Sequence, residues 1–193
     1  MQWINTYSQH PEVNSTKDRS LQEIVGPLHY ASKVSEIVGP PGSGKTHVAL
    51  QVCASIVKKE KDVLWIACKT AFPRSTFEKI GGANGRIVRT IYIPTLVQLI
   101  VFLVHQFDSK CQDLELGVVV IDDFASVFNL AFSETGSDKK SLLNSKNQSS
   151  VIATVVTALR KIALTKKIPI LLVNQMRTHI TDQGAMLVPA MGE

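Results

Sequence analysis

The sequence predicts an α/β domain: a mostly parallel sheet with helices on both faces. Three observations carry that prediction. Short, continuous apolar runs recur along the chain, as they do in strands buried on both sides. Between them lie stretches whose apolar residues repeat at helical spacing. A glycine-rich turn joins the first such strand to the first such helix. Alternation of this kind implies right-handed crossovers and a parallel sheet. At 193 residues the chain is long enough for one domain with a real core and no need of disulfide or metal staples. With 45% apolar and 19% charged residues it belongs to neither the disordered nor the fibrous class.

Residues 1–20, MQWINTYSQHPEVNSTKDRS, are polar, contain Pro11 and hold no period, so they read as an N-terminal arm or linker. They carry neither a basic-then-apolar leader nor a lipidation motif. Residues 21–193 form the core. Residues 34–38 make the first strand, followed by the Gly/Pro-rich turn and a helix over 45–59. Residues 62–67, DVLWIA, are a strand buried on both faces. Residues 86–93 alternate as a strand, and Pro94 opens an apolar helix over 95–107. Its most apolar part, 96–104, is interrupted by Gln98 and falls short of the roughly 20 residues that span a bilayer. It is a core helix, and no membrane role is expected. Residues 117–121 form another buried strand. Residues 133–150, SETGSDKKSLLNSKNQSS, read as a long polar loop, of the kind that is functional or disordered. Beyond it, a helix over 151–164 places Ile152, Val155, Val156, Leu159, Ile162 and Ala163 on one face, and a strand over 168–173 follows. The three cysteines, Cys53, Cys68 and Cys111, are odd in number and lack metal-ligand spacing, so they are expected to be reduced and mostly buried.

The turn after the first strand carries the chemistry. Gly39, Pro40, Pro41, Gly42, Ser43, Gly44, Lys45 and Thr46 match G-x-x-x-x-G-K-[ST] throughout. Glycines at this spacing let successive backbone N–H groups turn inward around phosphates, and the following helix offers its positive end. Lys45 would reach the β- and γ-phosphates of ATP, and Thr46 would hold Mg²⁺. A magnesium partner belongs at the end of a neighbouring buried strand, and VVVIDD supplies Asp122 for it. The plainer reading of Asp122 and Asp123 is a strand end and a helix N-cap, with Asp123 as the cap.

The segments VSEIVGPPGSGKTHVALQVC, VLWIACKTAFPRSTFEKI, VVVIDDFASVF and IPILLVNQMRT, in that order, resemble the ATPase core of RecA-like recombinases, most closely the eukaryotic recombinase and its paralogues. The resemblance covers residues 21 to the C-terminus, where LVPAMGE resembles the segment after the family's second DNA-binding loop. It implies that Gly39 to Thr46 bind ATP and Asp122 serves Mg²⁺. It also implies that Gln175 senses the γ-phosphate and passes its state to that loop. One departure stands out. The family's water-activating glutamate aligns with Lys69, and a cation cannot accept a proton from water; general-base help is typically worth 10²–10⁴-fold. Binding with slow turnover is therefore expected, with Asp123 as a substitute base. The arm is too short for the family's N-terminal DNA-binding domain, although Trp3 and Tyr7 could act as small anchors. The chain is expected to lack the family's last strands and to leave a sheet edge open. A helicase or AAA-type ATPase would more often carry Asp-Glu where this chain has Asp-Asp.

By resemblance, two loops that bind single-stranded DNA correspond to residues 132–150, with Lys139, Lys140 and Lys146, and 177–192, with Arg177 and His179. Phe132 is their only aromatic platform, so sequence-independent, salt-sensitive binding is expected. Lys166 and Lys167 are expected to cover a helix C-terminus. The chain carries a net charge of +5, and eight basic residues between Lys139 and His179 meet no Asp or Glu, which leaves the remainder at −3. The resemblance implies a nuclear, ATP-binding paralogue that supports assembly of the main recombinase on single-stranded DNA, in a hetero-oligomer with other paralogues. A competent DNA-dependent ATPase and a scaffold with a vestigial nucleotide site are the alternatives.

Overall fold

The computed structural model describes residues 2–3, 32–81, 88–133, 145–181 and 184–189. The elements run β1 (Gln2–Trp3), β2 (Val34–Gly39), α1 (Lys45–Lys58), β3 (Asp62–Ala67), α2 (Arg74–Lys79), β4 (Val88–Tyr92) and α3 (Leu96–Val101). A π-helical stretch (Phe102–Gln106) leads into α4 (Phe107–Cys111), followed by β5 (Leu116–Asp122), α5 (Phe124–Ser133), α6 (Ser145–Lys166), β6 (Ile170–Thr181) and β7 (Gly184–Pro189). The sheet order is β1-β2-β6-β5-β3-β4, every one of these neighbours parallel, with β7 antiparallel to β6. This is the expected α/β core.

Strand periodicity explains the two-sided core. Val63, Trp65 and Ala67 face one layer, while Leu64 and Ile66 face the other. β5 divides in the same way, Val118 and Val120 against Val119 and Ile121. One layer is built on α1 and Phe77 of α2; the other holds α3, the π stretch, α4, α5 and α6. Trp65 meets Phe72 edge-on at 5.2 Å, and Phe72 meets Phe77 at 5.4 Å, which closes the first layer with aromatic contacts. All three cysteines are free and buried. No helix among the described residues is long and apolar enough to cross a membrane.

Several local expectations change. Thr95, not Pro94, begins the apolar helix: its hydroxyl accepts from the Gln98 N–H at 3.3 Å and donates to the Gln98 side chain at 2.9 Å, a reciprocal cap. That helix is amphipathic rather than buried all round, with Leu96 and Leu99 in the core and Val97 exposed. The polar segment after α5 is shorter than a loop over 133–150, because α6 already begins at Ser145. The second expected loop is a hairpin over much of its length, with Arg177 opposite Val188 and His179 opposite Met186. Gln2 and Trp3 of the arm pair with Ser35 and Glu36 at the edge of β2. Lys166 ends α6 as expected, and its ammonium pairs with Asp108 of α4 at 2.6 Å.

Candidate functional site

The register of the parallel strands assembles the site. Gly39 of β2 lies beside Gln175 of β6, Asp122 of β5 beside Val173, and Ala67 of β3 beside Asp122. The carboxyl ends of β2, β6, β5 and β3 thus open on one edge, where open α/β sheets receive ligands. Gly39 to Thr46 wrap the first of these ends. Gly42 and Gly44 take φ of 78° and 85°, left-handed values that a side chain resists, and both have open space where a Cβ would stand. Pro40 accepts from Ser43 N at 3.3 Å, and Val48 N donates to Gly44 at 2.9 Å, which starts α1. Lys45 Nζ donates to the Pro40 carbonyl at 2.7 Å. The ammonium therefore folds back over the loop it would share with a phosphate. Burial pulls its pKa down, while Asp123 and Asp122 push it up.

The carboxylates are held under tension. Asp122 is buried, and burial together with the Asp123 charge raises its carboxyl to about 6; Lys45 and a hydrogen bond from Thr46 oppose that rise. Thr46 and Asp122 thus already touch. A hydroxyl beside a destabilised carboxylate fits a hard divalent cation, which would bind both oxygens and relieve the repulsion. Asp123 takes φ 58°, an uncommon value for a residue with a side chain. Its Oδ2 accepts from Gln175 Nε2 at 3.0 Å and lies 3.8 Å from Lys69 Nζ. Burial raises the Asp123 carboxyl too, against the pull of Lys69, Lys45 and Gln175. Burial and the two aspartates also push the Cys68 thiol up to about 12, so it stays neutral.

The structure corrects the N-cap expectation. The side chain that caps the first turn of α5 belongs to Asn174, whose Oδ1 accepts from Ala125 N at 2.7 Å. The Asp123 carboxyl turns instead toward Gln175 and Lys69. Asn174 Nδ2 donates in turn to Oε1 of Glu36, a buried acid of β2 whose Oε2 has no partner among the described residues. Burial raises the Glu36 carboxyl, and the Asn174 hydrogen bond opposes that rise. Neither Glu36 nor Asn174 belongs to a local motif; an acid and an amide inside apolar strands were the only signals. Gly39 to Thr46, Asp122, Asp123, Gln175 and Lys69 therefore converge. Arg177 lies two positions beyond Gln175 on β6, and Lys146 lies in the first turn of α6. Lys139 and Lys140 lie outside the described residues.

Comparison with known proteins agrees with this geometry. A family model described as "AAA domain" matches residues 10–178. The chain belongs to that family. Its RecA-like P-loop core is the one that the quoted segments resemble, so the Asp-Asp pair is no bar to the AAA description. Among similar proteins, the "DNA repair protein rhp55" of Schizosaccharomyces pombe is 25% identical over 132 residues, 60% of this chain and 37% of that protein. The "DNA repair and recombination protein RadB" of Methanococcoides burtonii is 23% identical over 175 residues, 86% of this chain and 71% of that one. RadB of Thermoplasma volcanium is 26% identical over 152 residues, 79% and 61% of the two chains. This AAA domain thus spans little more than a third of the first relative's length, and its homologues are DNA repair and recombination proteins.

Proposed function

We propose that the protein binds ATP with Mg²⁺ and assists homologous recombination by supporting recombinase assembly on single-stranded DNA. The observation that carries this reading is the meeting of Gly39–Thr46, the Thr46–Asp122 pair and Gln175 at adjacent strand ends. Backbone N–H groups of Gly42 to Thr46 would cradle the phosphates, with Lys45 neutralising the β- and γ-oxygens. Thr46 and Asp122 would hold Mg²⁺, which supplies neutralisation of the phosphate oxygens. Gln175 donates to Asp123 and would turn to a terminal phosphate in its place. The strand that carries it continues straight to Arg177, which gives the nucleotide state a mechanical route to the β6–β7 hairpin.

In this reading turnover is slow and ATP acts chiefly as a clamp. Among the described residues Asp123 is the candidate base, and its carboxyl is engaged by Gln175 and faced by Lys69. Single-stranded DNA would meet Lys139, Lys140, Lys146 and Arg177 through its phosphates, without base readout. Partners would be the main recombinase and other paralogues in a hetero-oligomer, located in the nucleus. A second reading has one observation behind it: the raised Asp123 carboxyl lies nearer the pH at which a general base works best, as in a competent DNA-dependent ATPase. ATP turnover measured with and without single-stranded DNA separates the two. The clamp reading expects slow release of phosphate in both conditions. Stimulation by DNA that disappears in Asp123→Asn would replace it with the second.

A further inference from the structure

Two lysines converge on the Asp123 carboxyl, and only one belongs to the phosphate loop. Lys45 approaches from the start of α1, and Lys69 approaches from the segment that leaves β3. The backbone places Lys69 there: Ala67 lies beside Asp122, and Cys68 N donates to the Asp122 carbonyl at 3.0 Å. The Lys69 side chain is 61% exposed, and its partner oxygen on Asp123 also accepts from Gln175. The pair is long at 3.8 Å and its ammonium is exposed, while Asp123 keeps the Gln175 hydrogen bond, so the lysine can leave Asp123 for a stronger anion. A terminal phosphate carries more charge than a carboxylate, and an ammonium on a flexible stem is a good point charge for it.

We propose that Lys69 discriminates between nucleoside triphosphate and diphosphate: its ammonium leaves Asp123 and pairs with the terminal phosphate of the bound triphosphate. The inference rests on the nucleotide-binding reading above and deepens it. Lys45, within the loop, would serve the β-phosphate that ATP and ADP share as well as the third phosphate. Lys69 stands outside the loop, after β3, which β6 and β5 separate from β2, and the third phosphate would lie on that side. Its departure frees one side of Asp123 Oδ2 while the positive charge stays in the site. The site then retains ATP and holds ADP weakly, the property that a clamp requires.

The test is equilibrium titration of the full chain with ADP and with a non-hydrolysable ATP analogue, each with Mg²⁺, for the wild type, Lys69→Ala, Lys69→Gln and Lys69→Arg. Both neutral variants are expected to lose about tenfold in affinity for the triphosphate, the size of one charge-assisted contact, and to keep their affinity for ADP. Lys69→Arg is expected to restore most of the triphosphate preference. An unchanged triphosphate-to-diphosphate ratio in the neutral variants, or equal losses for both nucleotides, overturns the role of Lys69 and leaves the nucleotide site standing. Absence of binding of either nucleotide by the wild type overturns both.

Discussion

The two ends of the parallel sheet are built on opposite electrostatic rules. Around the amino ends of β3, β5 and neighbouring β4, opposite charges and a backbone donor satisfy one another. Asp62 Oδ2 accepts from Glu115 N at 2.8 Å, Lys61 pairs with Glu115, and Arg89 clasps Asp113 through two contacts of 2.9 and 2.6 Å. At the carboxyl ends, two adjacent acids are buried side by side, one on a left-handed backbone, and both carboxyls are raised. The first end is satisfied as it stands. The second keeps two acids raised even with Lys45 and Lys69 beside them, and a divalent cation would relieve that repulsion. Strain and like-charge burial gather at functional sites, so this difference points to the same sheet edge as the phosphate-loop motif.

The comparison can be broken at several points. Lys45→Ala should weaken ATP binding about 100-fold, the scale of removing one partner from a charged contact, without lowering the melting temperature; fluorescence titration and thermal unfolding check both halves. Asp62→Ala, at the satisfied end, should do the reverse. It removes the carboxylate acceptor of the Glu115 N–H, costs about 1–3 kcal/mol in denaturant unfolding and leaves nucleotide affinity alone. Asp122→Asn should lower the Mg²⁺-dependent part of ATP affinity about tenfold, because a hard cation loses a charged ligand. In metal-free protein the same change should raise stability at neutral pH by removing one of two adjacent buried charges.

Glu36→Gln sharpens the comparison by its pH dependence. The folded state raises the Glu36 carboxyl above 4.5, so its favourable contribution is complete below that pH and is lost as pH rises through the folded value. The neutral variant should therefore gain on the wild type in melting temperature at pH 8 and not at pH 4. A gain equal at both pH values would mean that the Glu36 carboxyl ionises as readily in the folded as in the unfolded chain. Arg89→Ala should have the smallest effect, one that shrinks further with added salt, because that pair is exposed.

Much of this was legible in the sequence, for reasons that are themselves local. DVLWIA and VVVID announce buried strands because residues on both sheet faces are apolar, and the phosphate loop is a contiguous motif. Asp122 ends β5, the strand end at which the sequence places it. What was not legible depends on long-range geometry. Asn174 and Glu36 are 138 positions apart and meet only because β2 and β6 pair. The cap on α5 was assigned to its neighbour Asp123, whereas the amide that provides it arrives from another strand. The β6–β7 hairpin had a signal that was passed over: Met176, Thr178 and Ile180 alternate with Arg177, His179 and Thr181, a period of two hidden by polar residues. The start of α6 was missed because its first turns carry Ser, Lys, Asn and Gln, with no apolar face to show the helical period.

The central claim is that the carboxyl ends of β2, β5 and β6 form one site for ATP and Mg²⁺. Equilibrium titration of the wild-type chain with a fluorescent ATP analogue, with and without Mg²⁺ and alongside Lys45→Ala and Asp122→Asn, tests it most directly. The account predicts saturable binding that weakens when Mg²⁺ is removed, almost disappears in Lys45→Ala, and loses most of its Mg²⁺ dependence in Asp122→Asn. Saturable binding that ignores both substitutions would place the nucleotide elsewhere, and absence of binding by the wild type would contradict the site altogether.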